Sequence, residues 1–225
     1  MARIDLEKPI LDKNDRAAKA NRSLFDEKGI FVIDLLSSPG SGKTTTIQMI
    51  IRELGQKYRI AVIEGDIASS VDADKIAEGG TPAVQINTGG LCHLEADMIR
   101  RAVDALPADE LDLIIIENVG NLVCPVDFYL GEDAKVMILS VPEGDDKPLK
   151  YPGVFQAASA VIINKIDVKP YFTFDEELFR DHVRQLNPQA PVFSIAAVKG
   201  DAADERALIE WIEAGIAARK AALAQ

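Results

Sequence analysis

A short polar stretch, residues 37–44, has the residue types and spacing needed to hold a phosphate. It runs Ser-Ser-Pro-Gly-Ser-Gly-Lys-Thr after an apolar run that ends at Leu36. Backbone N–H groups of such a loop can surround a β-phosphate, while the Lys43 ammonium reaches the β and γ oxygens and the Thr44 hydroxyl binds Mg²⁺. Ser37 replaces the usual first glycine but is also small. The residues predicted to contact nucleotide here are Gly40, Ser41, Gly42, Lys43, Thr44 and Thr45.

A second motif predicts which base the nucleotide carries. Asn164-Lys165-Ile166-Asp167 closes a later apolar run, and the Asp167 carboxylate could accept hydrogen bonds from both N1–H and N2–H₂ of guanine. Adenine cannot supply both donors. Ala196-Ala197 before Lys199 is a looser match to the base-contacting loop that follows in GTPases, since the usual Ser-Ala is altered. We therefore expect GTP or GDP to be bound by Asn164, Lys165, Asp167 and Ala197.

Two acidic residues stand where apolar runs end. Asp66 closes "IEGD" and Glu117 closes the run in "LIIIENVG", with Gly120 three residues further on. A carboxylate at a strand end can hold Mg²⁺ or its waters, or orient an attacking water. We expect Thr44, Asp66 and Glu117 to bind Mg²⁺, Gly120 to donate its N–H to the γ-phosphate, and the catalytic groups to be Lys43, Asp66 and Glu117. Most GTPases have Asp where this chain has Glu117, and the alternative is that both acids are surface turn residues.

Both cysteines of the chain and one of its two histidines form a third group: Cys92, His93 and Cys124. Thiolate and imidazole suit Zn²⁺ or Ni²⁺. We expect Cys92 and His93 at the start of a helix over 93–106, whose N-terminus would lower the pKa of the thiol. The alternative is that the cysteines are small buried hydrophobes and His93 is a helix-capping residue. The spacing is not that of a zinc finger, and three ligands leave a tetrahedral site incomplete, so both interpretations stay open on the residues alone.

The elements that must position these groups alternate along the chain. Strands are predicted at 30–36, 58–64, 82–87, 111–117, 134–141, 160–164 and 191–196. Helices are predicted at 12–28, 43–54, 69–78, 93–106, about 148–157, 175–186 and 203–223. Continuous apolar strands alternating with helices indicate an α/β fold, a three-layer P-loop NTPase with a mostly parallel, doubly wound sheet. Ligands of such sheets bind outside the carboxyl ends of the strands, where every motif above falls.

The composition of the chain argues against nucleic-acid binding and membrane association. The net charge is −11 and no stretch is strongly basic, so we expect no nucleic-acid partner. No apolar run approaches the length of a membrane span, and the charged N-terminus lacks the apolar core of a signal peptide, so we expect no membrane association and a cytoplasmic location. Residues 1–28 are predicted to be an N-terminal helical extension and residues 29–225 a P-loop GTPase domain.

From about Ile30 to Trp211 the chain resembles the hydrogenase nickel-incorporation GTPases, often called HypB. The resemblance rests on an ordered set of motifs: "SSPGSGKTT", "EGD", "TGGLCHLEADM", "ENVGNLVCP", "EGDDKPLKYP" and "NKID". It implies a GTPase that delivers nickel to the large subunit of [NiFe]-hydrogenase, GTP-dependent homodimerisation, and work with a small zinc-containing nickel metallochaperone. It also implies that Cys92, His93 and Cys124 hold nickel or zinc. Some members carry an N-terminal cysteine cluster or a His-rich tract, and neither occurs here.

Three other functions compete with this one. Urease-accessory GTPases share the fold but have a Cys-x-His motif, whereas this chain has adjacent Cys92-His93. A P-loop kinase acting on a small molecule would need an acceptor pocket and often an Arg-rich lid, and the guanine motif counts against it. A passive metal carrier with a vestigial nucleotide site is disfavoured by intact Lys43, Thr44 and Asp167.

The two predicted sites share one loop. Cys124 follows Glu117 and Gly120 closely, so a loop ordered by the γ-phosphate would move Cys124 relative to Cys92 and His93. Two chains meeting at this edge could complete the metal site by symmetry. The sequence therefore predicts a homodimer favoured by GTP, whose metal affinity differs between nucleotide states.

Overall fold

The computed structural model describes residues 7–66, 79–199 and 204–223. In chain order the strands are β1 Phe31–Ser37, β2 Ile60–Asp66, β3 Ala83–Asn87, β4 Leu113–Glu117, β5 Ala134–Ser140, β6 Ala160–Asn164 and β7 Val192–Ser194. The helices are α1 Glu7–Lys28, α2 Lys43–Leu54, α3 Ala96–Val103, α4 Lys147–Lys150, α5 Pro152–Ala157, α6 Glu176–Leu186 and α7 Glu205–Leu223. Each predicted strand is confirmed, and the helix predicted at 69–78 lies outside the described residues.

Three helix predictions were wrong in detail. The helix predicted at 12–28 begins earlier, at Glu7. The helix predicted over 93–106 begins only at Ala96, because residues 88–95 form turns and extended chain. The helix predicted at about 148–157 is two short helices that meet at Tyr151, whose φ of −130° and ψ of 57° are not helical. Pro152 follows, and proline disfavours the α conformation in the residue before it.

The seven strands form one sheet in the order β3-β2-β4-β1-β5-β6-β7, and every pairing between them is parallel. β1, which leads into the phosphate loop, lies between β4 and β5 at the centre of the sheet. Parallel strands all point the same way, so their carboxyl ends bring Ser37, Asp66, Glu117 and Asn164 to one edge. The predicted doubly wound P-loop fold is confirmed.

Helices cover both faces of the sheet and make three layers. On one face α2 and α7 pack on alternate strand residues such as Ile33, Ile115 and Ile138. On the other face α1 and α3 cover the half around Val32, and α5 and α6 cover the half around Met137. Because both faces are buried, the strands are nearly continuous apolar runs rather than alternating ones.

Helix α1 is anchored to the segment that begins α3. Asn21 Nδ2 donates to the carbonyls of Ala96 (2.9 Å) and Leu130 (3.0 Å), and Asn14 Oδ1 accepts from the Ala96 N–H at 2.8 Å. Phe25 at the end of α1 is fully buried. The division into residues 1–28 and 29–225 stays a prediction. In the part of the chain that the structure describes, no helix has the length and hydropathy to cross a membrane.

Candidate nucleotide and metal sites

The phosphate loop curves tightly between β1 and α2. Gly42, directly before α2, has a φ of 94°, a conformation that favours glycine. A Cβ atom there would lie 2.4 Å from Nδ2 of Asn164, so no other residue fits without displacing the guanine motif. The N-terminus of α2 at Lys43 therefore faces the space that the loop encloses, and offers N–H groups to an anion.

Lys43 is buried at the floor of this loop. Its Nζ donates to Ser37 Oγ at 2.9 Å, so the serine that replaces the usual first glycine holds the lysine. Burial lowers the pKa of Lys43, and the carboxylates of Glu117, Glu143, Asp66 and Glu64 oppose that shift by favouring the charged form. Because the neighbouring carboxylates favour the charged ammonium, Lys43 can form charge-assisted hydrogen bonds with the oxygens of a polyphosphate.

A cavity of about 530 Å³ opens above the loop. Thr44 Oγ1 donates to Glu117 Oε1 at 3.0 Å, and Asp66 lines the same cavity. One hydroxyl and two carboxylates on neighbouring elements are the hard oxygen donors that Mg²⁺ prefers, so Thr44, Asp66 and Glu117 fit the ion. The lining also includes these predicted residues: Gly40, Gly42, Lys43, Thr45, Gly120 and Lys165.

Four predicted nucleotide residues lie outside the lining of that cavity: Ser41, Asn164, Asp167 and Ala197. Asn164 is buried and organises the base side: its Nδ2 donates to the Ser41 carbonyl at 2.9 Å, and its Oδ1 accepts from the N–H groups of Lys165 (2.8 Å) and Ala197 (3.4 Å). Asp167 lies 3.4 Å from Nζ of Lys199. The structure thus brings the "NKID" and Ala197 segments together beside the phosphate loop.

Lys165 reaches across the phosphate loop. It has a φ of 60°, the only positive value at a non-glycine position among the described residues, and its Nζ donates to the Gly40 carbonyl at 2.7 Å. The strained backbone turns the side chain over the loop. Lys165 therefore lies where it could cover one face of a bound nucleotide.

Sequence reasoning missed two acids at this site. Glu64 lines the cavity on β2 and pairs in register with Glu117 on β4, whereas the sequence pattern "IEGD" indicates only Asp66 as a site residue. Glu143 accepts hydrogen bonds at Oε1 from Ser41 Oγ (2.7 Å) and from the N–H and hydroxyl of Ser140 (both 2.8 Å). Its place as the first residue of "EGDDKPLKYP" is the sequence signal that could have identified it.

The second site is the cluster of Cys92, His93 and Cys124. One ligand atom from each lies within 4.8 Å of the others, and Cys92 Sγ is 3.7 Å from His93 Nδ1. The His93 ring stacks on Phe128 with centroids 3.8 Å apart, and its buried Nε2 makes no hydrogen bond within the described residues. Burial lowers the pKa of His93, which favours the neutral form that binds metals. The donor set suits nickel or zinc.

The expectation for the Cys92 thiol was wrong. Cys92 lies in a turn ahead of Ala96, where α3 begins, so it does not start the helix. A hydrogen bond with the neighbouring Cys124 raises the pKa of Cys92, and burial adds to the shift. In the metal-free protein Cys92 therefore favours the protonated thiol over a helix-stabilised thiolate.

The loop from Asn118 to Cys124 connects the two sites. At its start, a Cβ atom on Gly120 would lie 2.9 to 3.1 Å from atoms of Pro39, so the loop packs directly on the phosphate loop. Further along, Asn121 Nδ2 donates to the Cys92 carbonyl at 3.3 Å. The loop therefore contacts the phosphate loop near one end and the segment that carries Cys92 near the other.

Comparison with known proteins agrees with this geometry. Residues 31–194 match the family described as CobW/HypB/UreG, nucleotide-binding domain. The chain is 47% identical to the hydrogenase maturation factor HypB of Escherichia coli K12 over 210 residues, 93% of this chain and 72% of that protein.

Two solved structures are also similar. The crystal structure of HypB from Helicobacter pylori in complex with nickel has a TM-score of 0.86 at 39% identity, covering 91% of this chain and 95% of that one. HypB from Archaeoglobus fulgidus has a TM-score of 0.85 at 34% identity, covering 91% and 99%. The chain thus belongs to the HypB hydrogenase maturation factors of the CobW/HypB/UreG nucleotide-binding family.

Proposed function

We propose that this protein is a GTP-hydrolysing metallochaperone that assists nickel insertion into [NiFe]-hydrogenase. The observation that carries the proposal is the short loop that joins a phosphate site to a Cys/His cluster. Gly120 packs on Pro39 at one end of that loop, and Cys124 meets Cys92 and His93 at the other. The nickel in the related H. pylori structure supports the cargo.

In the proposed reaction GTP and water give GDP and phosphate. Asp167 would select guanine, while the phosphate loop and Lys43 would neutralise charge that develops on the β and γ oxygens. Thr44, Asp66 and Glu117 would hold Mg²⁺, which when bound would neutralise charge on the same oxygens. The Thr44–Glu117 hydrogen bond of 3.0 Å supports this grouping.

Nickel or zinc at Cys92, His93 and Cys124 would be cargo. Three protein ligands leave the coordination sphere open, which suits a site that accepts and releases an ion. Leu91 and Val123, next to the two cysteines in sequence, are 41% and 59% exposed. Such apolar exposure beside the cluster supports a homodimer, favoured by GTP, in which a second copy completes the site.

Membership of the HypB family supports two further partners. We propose a small zinc-containing nickel metallochaperone as the nickel donor and the hydrogenase large subunit as the direct or indirect recipient. The protein would work in the cytoplasm, where GTP is available.

A turnover assay tests the proposal. GTP hydrolysis is compared for metal-free and nickel-loaded protein, with Lys43→Ala as the hydrolysis control and Cys124→Ala as the metal control. We expect hydrolysis to need Lys43 and to respond to nickel only when Cys124 is present. Turnover that is the same with ATP, or that survives in Lys43→Ala, would contradict the assigned reaction.

A further inference from the structure

One buried asparagine joins the two segments that carry the cluster. The first arm is residues 88–95, with Cys92 and His93, and the second arm is residues 118–124, ending at Cys124. Asn118 is 1% exposed. Its Oδ1 accepts from the N–H of Leu94 in the first arm (3.3 Å) and from the N–H of Val119 in its own arm (2.9 Å). One carbonyl oxygen therefore bridges the arms.

The hydrogen-bond partners of the Asn118 side chain fix the orientation of its amide group. Asn118 Nδ2 donates to both carboxylate oxygens of Asp34, at 3.0 and 3.2 Å. Asp34 lies in the middle of β1 and is completely buried. The backbone N–H groups of Leu94 and Val119 can only donate, so Oδ1 must face them, and Nδ2 must then face the carboxyl oxygens of Asp34.

The residue beside Asp34 supports the second arm. Lys135 on β5 is the register partner of Asp34, and its Nζ donates to the carbonyls of Val126 (2.9 Å), Phe128 (3.1 Å) and Pro125 (3.3 Å). These carbonyls belong to the turn that begins at Cys124 and carries the ring on which His93 stacks. Two adjacent residues on the central strands therefore support the cluster: Asp34 through Asn118, and Lys135 through the turn that follows the second arm.

The first arm has little room to adjust. The Leu94 side chain lies over Gly65 of β2, where a Cβ atom would be 2.8 Å from three of its carbons. Leu94 is fully buried, so its N–H stays close to Asn118. Cys92 and His93 immediately precede this fixed point.

We propose that Asn118, held by Asp34, is a positioning residue for the Cys92–His93–Cys124 cluster. It fixes the spacing between the arms so that the three ligand atoms converge before metal arrives. The inference rests on the proposed metal function of the cluster. Neither residue is one of the three ligands: Asn118 acts through the backbone of the arms, and Asp34 acts through Asn118.

Variants at the two positions separate this role from a general packing role. Asp34→Asn is the reference, because the amide introduced at position 34 still has a carbonyl that can accept from Asn118. In that background Asn118→Ala removes the bridge and leaves a neutral amide at position 34, which costs less when unpaired than a buried carboxylate. Asn118→Asp in the same background keeps the bridge, because the amide at position 34 can donate to the carboxylate introduced at position 118. That carboxylate can still accept from the N–H groups of Leu94 and Val119.

The measurements are Ni²⁺ affinity by chelator competition and, in metal-free protein, hydrogen exchange at the Leu94 amide. We expect Asn118→Ala to weaken Ni²⁺ binding about 10- to 100-fold and to lose protection at Leu94. The Ni²⁺ affinity of the Asn118→Asp double variant should stay within about threefold of that of Asp34→Asn, a much smaller change than in the Asn118→Ala double variant. Equal Ni²⁺ affinity in the two double variants would overturn the inference.

Failure of the proposed metal function and failure of the Asn118 bridge give different results. If the wild-type protein bound no Ni²⁺, the metal function would fail, and with it the purpose assigned to Asn118. Loss of Leu94 protection in both double variants alike would instead overturn the bridge itself, whatever the wild type binds.

Discussion

The buried carboxyl of Asp34 predicts an unusual pH dependence of stability. Burial raises the pKa of Asp34 from 3.8 to about 7; Glu132 adds to the shift, while Lys135 and the hydrogen bond from Asn118 oppose it. In the unfolded chain the group regains its ordinary pKa. The unfolded state therefore releases this proton first as the pH rises, and Asp34 makes folding progressively less favourable between pH 4 and 7.

The size of the effect follows from the shift. A change from 3.8 to about 7, at about 1.4 kcal/mol per pKa unit, corresponds to roughly 4 kcal/mol of stability lost across that window. Asp34→Asn cannot ionise, so this part of the pH dependence disappears. Relative to wild type, the variant should gain about that much free energy of unfolding between pH 4 and pH 8.

Urea unfolding of metal-free, nucleotide-free protein at several pH values measures this difference. Asp112→Asn is the matched control with the opposite sign. Although burial of Asp112 raises its pKa, hydrogen bonds from Lys220 and the Arg59 N–H outweigh burial and lower it, so Asp112 stabilises the fold above its ordinary pKa and loses that effect as the pH falls. If the wild-type and Asp34→Asn curves were parallel across pH, the account of Asp34 would be refuted.

Three further predictions concern the two sites. Gly42→Ala should abolish nucleotide binding, because its Cβ would lie 2.4 Å from Asn164 Nδ2, whereas Gly153→Ala, with no atom within 4 Å, should bind GTP normally by calorimetry. Asp167→Asn should weaken GTP binding by about 3 kcal/mol through two lost hydrogen bonds to a charged group, while an unchanged GTP-to-ATP affinity ratio would argue against guanine selection. Stoichiometric nickel binding should be lost in each of the single variants Cys92→Ala, His93→Ala and Cys124→Ala. In the wild type it should weaken at acidic pH as the ligands protonate. Unchanged nickel affinity in one of these variants would remove that residue from the site.

Local patterns were sufficient for the fold. Continuous apolar runs identified every strand, because strands of a sheet that is covered on both faces are apolar at nearly every position. The phosphate loop was equally local, because Gly42, Lys43 and Thr44 are adjacent in sequence. The cluster could be suggested from the chemistry of its side chains. Whether the three ligand atoms come together depends on how β4 lies beside β2 and β1, which no local pattern shows.

Apart from the start of α1 and from the break at Tyr151, which the adjacent Pro152 explains, the errors and omissions involve contacts between distant segments. The start of α3 is set by Asn14 and Asn21 of α1, which bind the backbone of Ala96 and Leu130, and no pattern near His93 shows this. The raised pKa of Cys92 depends on Cys124, 32 positions away. Glu143 and Asn118 act through partners that only the folded sheet brings within reach.

We propose that nucleotide state controls metal affinity through the loop from Asn118 to Cys124. Nickel affinity and mass in solution, measured on the same protein with a non-hydrolysable GTP analogue and with GDP, test it most directly. The account predicts a dimer with the analogue and a different nickel affinity in the two states, with nickel changing the affinity for nucleotide by the same factor. The same mass and the same affinity with both nucleotides would contradict it.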